Sequence, residues 1–462
     1  QYAGTYLVTG SHQAARAAAD TGRLIPGTPE FKAAFNEVTA DPNLATGSRF
    51  QDETKLYHGD VNYNFQDVIE WAEFQVGGSY RRYSLNSNGS IFTDNDGAID
   101  YDEYGVYTQM QKKFLEDDRL KLTASLRYDK AQNFDGNFSP RVSLAYAGGE
   151  NKNDNFRASF QKGFRNPTTQ DQYIGLDAGS AILVGSAPDN LDRYTSTPLN
   201  VSTVGQGIVG SSTTTLSGRL AYENSFAASS VIAGAPEASS APLVKPEEVT
   251  AFELGYRGLI NAGDSRITLD VSAYYNQYND FISAKNVLVP FYGTVGDNTL
   301  SLLALQNGDY KAFQVYTNTT ADINSYGASL GLNTKIFNGF DIGLNYTYAK
   351  FDFDQASDPD FEAGFNTPEH KVKIQFGKTD LFENFGFNIN ARWQDEFLWE
   401  STFLDATVDA RTVFDAQINY TVPSWKSTFK LGGANLGGQE YFSAPGVGAV
   451  GSQYYLSWSI NN

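Results

Sequence analysis

Apolar and polar residues alternate with period two in run after run of this chain, and no other feature restricts its fold so tightly. Successive side chains of a strand point to opposite faces, so strict alternation marks a sheet with one apolar and one polar side. Phe340, Ile342, Leu344, Tyr346 and Tyr348 share one face, and Asp341, Gly343, Asn345 and Thr347 the other. Leu120 to Tyr128, Ile267 to Tyr275, Phe385 to Trp393 and Tyr454 to Ile460 repeat the pattern. About sixteen such runs begin near residues 2, 55, 68, 104, 119, 138, 155, 249, 265, 322, 340, 370, 385, 412, 427 and 452. Most are roughly 9–13 residues long, more than the 5–6 of a usual strand and close to the 9–11 that a tilted strand needs to cross a bilayer.

The connections alternate too. Short ones fall at 66–67, 116–118, 149–154, 261–264, 338–339, 379–384 and 423–426. Long ones fill about 10–54, 84–102, 130–137, 166–247, 281–320, 352–368, 396–410 and 437–451. All long loops at one end, with an apolar outer face and a polar lumen, describe an all-β, transmembrane, antiparallel up-and-down β-barrel. A large secreted all-β protein shares the periodicity but has no reason to segregate its loops. Tyr63, Phe65, Tyr128, Tyr346, Tyr348, Trp393, Tyr420 and Trp458 sit where an outward face nears a strand end, as an aromatic girdle requires. Two short helices are expected in the first long loop, over 11–20 and from Thr28-Pro29-Glu30 onward, where an N-cap, an N1 proline and a first-turn acid coincide. The Ser-, Thr-, Ala- and Gly-rich stretch 178–242 reads as an irregular loop folding over the mouth.

Composition removes most other functions. There is no Cys, so disulfides, thiolate metal sites and cysteine nucleophiles are out. The three His (His12, His58, His370) are far apart in sequence. A net charge of −19 argues against nucleic acid. No apolar run approaches the roughly 20 residues of a spanning helix. The first residue is Gln, which reads as a processed or truncated start. No catalytic constellation is recognisable, so the chain is expected not to be an enzyme.

By alternation, Arg81, Arg127, Arg141, Arg157, Glu253, Arg257, Lys371, Lys373 and Arg392 point into the lumen. They suit either ordinary solvation of a polar wall or contact with a solute or a filling domain. The acidic loop around Asp94, Asp96, Asp100, Asp102 and Glu103 reads first as a solvated face and only second as a site for a divalent cation, because the twelve-residue EF-hand spacing is missing. Asp352, Asp354, Asp358, Asp360 and Glu362 read the same way. No other cofactor is expected. Aromatics of the long loops, Tyr173, Tyr194, Tyr222, Phe291, Tyr292, Phe397, Trp399 and Phe403, are candidates for stacking on a ligand, or for packing the loops together.

Several phrases carry a family likeness. Gly163-Phe164-Arg165-Asn166-Pro167, Lys245-Pro246-Glu247-Glu248 followed by Phe252-Glu253-Leu254-Gly255-Tyr256-Arg257, Thr367-Pro368-Glu369-His370-Lys371, and Ala434-Asn435-Leu436 with Tyr441 occur in order. In these the chain resembles the TonB-dependent outer-membrane receptors, in the forms common in Bacteroidota. Gly437 departs from the family's aromatic, as does the polar end Asn461-Asn462. The resemblance implies a barrel of 22 strands with an N-terminal plug. Residues 1–462 would then be the C-terminal portion, lacking the plug and about six strands, and would start on the periplasmic side. It implies uptake of a scarce nutrient (siderophore, vitamin, glycan or peptide), energised by TonB-ExbB-ExbD through the plug. The implied surroundings are outer-membrane lipid and lipopolysaccharide, with a surface lipoprotein as a further partner. The alternatives are a self-closed 16-stranded porin-type passive channel and a non-transporting structural component of an outer-membrane complex.

Overall fold

The computed structural model describes every residue except 42–45, 264, 298, 402–403 and 461–462. Fifteen strands form one antiparallel sheet in which sequence order is spatial order. They are β1 (Lys55–Asn64), β2 (Glu73–Leu85), β3 (Ile99–Phe114), β4 (Leu120–Ala131), β5 (Asn137–Gly148), β6 (Asp154–Arg165), β7 (Glu247–Ala262) and β8 (Ser265–Asn279). The wall continues with β9 (Ile323–Ile336), β10 (Phe340–Asp352), β11 (His370–Phe382), β12 (Phe385–Gln394), β13 (Arg411–Val422), β14 (Ser427–Ala434) and β15 (Gln453–Ile460). The long insertions 166–246 and 280–322 leave this meander intact, because β6 still pairs with β7 and β8 with β9.

The strand count corrects the sequence reading by one. Tyr2–Thr9, expected as a strand, is a helix, α1. Eight residues are too few to separate the two periods: Tyr2 and Tyr6 also stand four apart, on one face of a helix. Gly10 ends it at φ 62°, its N–H on the Tyr6 carbonyl, in the left-handed cap that glycine adopts without a Cβ penalty. The run expected near 68 begins at Glu73, and residues 65–72 form a longer turn. The two anticipated helices are present as α2 (His12–Ala19) and α3 (Pro29–Ala40), with the Ser11 and Thr28 hydroxyls accepting from the Ala14 and Phe31 amides.

Losing the first strand reverses the starting side. β1 runs from the long-loop end to the turn at 65–72, so residues 1–54 belong with the long loops, not with the periplasmic turns. β1 and β15 therefore run in the same direction, and they do not pair with each other. A self-closed antiparallel sixteen-strand channel is not what this chain builds.

The two belts of rings are in place on the apolar face. Near the short turns, Phe156 lies 4.9 Å from Tyr256, Phe382 4.4 Å from Phe385, and Phe429 6.0 Å from Trp458. Near the long loops, Tyr128 lies 4.9 Å from Phe138 and Tyr348 5.0 Å from His370.

Above the long-loop end sits an ordered cap, which corrects the expectation of an irregular loop over 178–242. A hairpin of Ile282–Pro290 and Tyr310–Asn318 continues directly from β8 and β9. Ile182–Val184 adds to it in parallel at Phe313–Val315, and Gly175–Asp177 and Phe226–Ala227 complete a five-stranded sheet. Its core of Ile182, Val184, Val287, Val289, Phe313 and Val315 is fully buried, with Leu216, Ala221 and Ala241 around it. Burial of such aliphatic side chains contributes about 1.5–3 kcal/mol each, enough to hold the insertions as a folded unit.

Candidate functional site: the polar wall and its upper cavity

Cross-strand register puts all nine lumen candidates on one face. Arg127 stands opposite Tyr107, Arg141 opposite both Ser125 and Gln161, and Arg157 opposite Gly255. Glu253 stands opposite Tyr274, Arg257 opposite Asp270, Lys371 opposite Thr347, and Lys373 opposite both Asn345 and Arg392. Arg81 faces Glu103 on β3. Most of these charges are neutralised locally. Arg157 lies 3.6 Å from Glu253 and 3.4 Å from Asp270, Arg257 lies 3.8 Å from Asp270, and Arg392 lies 2.9 Å from Asp415. Half-exposed pairs of this kind contribute about 0–1 kcal/mol each, so they order the wall's side chains more than they hold its strands. Arg141, Lys371 and Lys373 make no ion pair among the described residues.

Two of the nine come together in a cavity of about 610 Å³ at the upper end of the wall. Arg81 reaches Glu103 at 3.3 Å, and the Arg127 guanidinium clamps Asp129 with contacts of 2.6–2.9 Å. Such forked pairing fixes both groups in orientation. Asn166 donates to Glu103 from across the mouth at 3.3 Å. Tyr101, in the lining, is 1% exposed, and its hydroxyl has no hydrogen-bond partner among the described residues. The cavity is amphoteric and ring-walled, of a size common for small-ligand pockets, roughly 300–1,000 Å³.

The acidic candidates do not converge on one point. Asp94 is buried as a loop staple, accepting from the Ser87 hydroxyl at 2.6 Å and the amides of Ser87, Asn88 and Gly89. Asp102 lies on the outer face, forked onto Arg82 at 2.7 Å and accepting from Tyr80, and Asp100 lies 3.9 Å from the same Arg82. Glu103, one residue on, turns to the lumen. Strand alternation has divided the cluster between two faces, and Asp96 stays exposed on the loop. In the second cluster, Asp358 is committed to Lys285 and Thr319.

The loop aromatics are chiefly packing groups. Tyr173 is 1% exposed and its hydroxyl accepts from Asn133 at 2.8 Å. Tyr222 donates to the Val184 carbonyl at 3.0 Å, and burial raises its phenol far above the ordinary value. Tyr292 donates to Asp309 at 2.9 Å. Tyr194 and Phe291 flank the cap core. Trp399 and Phe397 belong to a separate small hairpin, Phe397–Trp399 with Ala406–Val408. Phe403 lies outside the described residues.

Sequence reasoning missed the joint where the cap leaves the wall. Arg165, at the end of β6, reaches Glu247, at the start of β7, at 2.8 Å, and Glu247 also accepts from the Ile282 amide at 3.0 Å. Two of the family-like phrases are thus the two halves of one fastener. Their common flanking of an 81-residue insertion (residues 166–246) was the signal available.

A meandering sheet with an apolar girdled face, a charged inner face and all long loops at one end is the wall of an outer-membrane β-barrel. The chain belongs to the TonB dependent receptor-like β-barrel family, which it matches over residues 4–436. It is similar in structure to the siderophore receptor PirA from Acinetobacter baumannii, at a TM-score of 0.53 and 15% identity, with 88% of this chain and 54% of that one covered. The FrpB iron transporter from Neisseria meningitidis (F3-3 variant) gives 0.55 and 12%, with 88% and 54% covered. A single-residue mutant of the ferric enterobactin receptor PfeA from Pseudomonas aeruginosa gives 0.54 and 15%, with 88% and 53% covered. The chain thus spans about half the length of these structures. A search of curated protein sequences finds no match.

Proposed function

We propose that this chain forms the ligand-receiving wall of an outer-membrane receptor that takes up a scarce nutrient with energy from the TonB-ExbB-ExbD complex, acting through a plug. The observation that carries the reading is the unbroken polar face from β1 to β15, topped by a folded cap, in a chain of this family. A passive pore needs a polar lining too, but not a cap with its own fully buried core. In this reading the chain works as a binder and gate, without covalent chemistry. Deleting the gene for the intact receptor and measuring uptake of candidate nutrients tests it. Uptake should require both the receptor and TonB. Uptake that persists without TonB would overturn it.

A further inference from the structure

The long-loop end holds a second cavity, of about 410 Å³, between the helices α1 and α2 and the last two long loops. Arg411 starts β13 on the polar face, opposite Gln394. Its guanidinium lies 4.6 Å from the centre of the Tyr441 ring and donates to the Phe442 carbonyl at 2.9 Å. It makes no ion pair among the described residues, and the neighbouring Arg392 has taken Asp415. One of its five N–H donors is accounted for; the others form the rigid fork that matches a carboxylate.

The rest of the lining limits what such a carboxylate can belong to. Asp409 and Glu440 line the same cavity and make no ion pair among the described residues. They would repel a polyanion and attract a cationic group on the same ligand. His12 is held in place on both sides: Nε2 donates to the Thr407 carbonyl at 2.9 Å, and Nδ1 lies 2.8 Å from the Tyr2 hydroxyl. Its ring stacks 4.6 Å from Tyr6 and lies 5.8 Å from Phe442, giving the cavity an aromatic wall. A neutral sugar would leave Arg411 without a counter-charge, and a metal-chelating polyanion would face two carboxylates.

We infer that this cleft binds a short peptide held at both termini, Arg411 taking the C-terminal carboxylate, Glu440 the N-terminal ammonium, and the Tyr6–His12–Phe442 wall an apolar side chain. The inference rests on the receptor reading above and adds a ligand class to it.

The test is calorimetric titration of the intact receptor with the tripeptide Ala-Ala-Phe, its C-terminal amide and its N-acetyl form. The free tripeptide should bind, and amidation or Arg411→Gln should each weaken binding by about tenfold or more, with little further loss when combined. N-acetylation and Glu440→Gln should behave as a second such pair. Because the two variants discriminate between different ends of one probe, a misfolded variant is recognised by losing both forms. Equal affinity for the free and amidated peptides, or an Arg411→Gln receptor that binds all three forms as the native one does, overturns the inference. No peptide binding by a receptor that still takes up another nutrient through TonB overturns the inference alone. Uptake independent of TonB overturns the receptor reading, whatever the peptide does.

Discussion

Lys285 and Asp358 form a buried ion pair at 2.8 Å, their side chains 9% and 4% exposed, which ties the cap hairpin to the loop after β10. Asp358 also accepts from the Thr319 hydroxyl at 2.7 Å and the Thr320 amide at 3.2 Å. Breaking a buried pair from one side leaves a charge without compensation and costs about 3–5 kcal/mol. Lys285→Ala should therefore free residues 352–368, read as faster amide exchange at Thr320 and new proteolysis in that loop. The double replacement Lys285→Met with Asp358→Leu should restore most of the protection; no recovery would mean that the pair does more than cancel its own charges.

The same carboxyl predicts an acid response. Burial alone would raise the Asp358 pKa, but the Lys285 ammonium and the Thr319 hydroxyl outweigh it and hold the group below its ordinary value. A lowered folded pKa means stability that is complete above the ordinary carboxylate value and lost as pH falls through the folded one. Loop 352–368 should stay docked down to about pH 4 and release below it, measured by amide exchange across a pH series.

Glu362 and Glu400 give the opposite sign. Burial raises both, helped by the nearby charge of Asp405 and, at Glu362, by that of Glu400. Groups raised in this way favour the folded loops below the ordinary glutamate value, and the benefit fades as pH climbs through their folded values. The Glu400 amide, which donates to Asn366 at 2.8 Å and links the two loops, should exchange faster as pH rises above that range, after correction for intrinsic exchange. Glu362→Gln should flatten the profile; an unchanged profile would remove Glu362 from the cause.

Gly185 in the cap has no room for a side chain. A Cβ on Gly185 would collide with the backbone carbonyl of Gln172, while the Gly185 amide is held by the Ile174 carbonyl at 2.9 Å. Gly185→Ala should destabilise the cap by about 1–3 kcal/mol. The check is a lowered unfolding midpoint for the cap with the wall's midpoint unchanged.

The joint at the base of the cap is also testable. Glu247→Gln keeps the shape but discards the charge that pairs with Arg165 at 2.8 Å. A charge-assisted hydrogen bond contributes about 1.5–3 kcal/mol, so the Ile282 amide should lose protection while the pairing of β6 with β7 persists. Loss of that strand pairing would show that the joint carries the wall as well.

The wall was legible in the sequence because the bilayer enforces one rule on every strand, and residues such as Ile342, Leu344 and Tyr346 obey it without exception. The same rule divided Asp102 from Glu103, an effect that counting acids along the chain overlooks. The helix Tyr2–Thr9 was not legible, since eight residues satisfy both periods. Nor was the cap: Ile182 pairs with Phe313, 131 positions away, and Ile182–Val184 is too short to display a period. The lumen charges could be assigned to a face by alternation, yet which of them meet depends on register. Arg411 and His12 were invisible as a pair, because nothing in the chain between them announces that helix α2 reaches the loop at Thr407.

The hairpin that begins as β8 and β9 does not stop at the membrane surface. Nine more residues on each arm carry it roughly 30 Å further at 3.3 Å per residue, from the wall into the middle of the cap sheet. Mechanically it is a mast stepped through the deck. A cap built around it is joined to the wall by two near-continuous strands rather than by a single hinge.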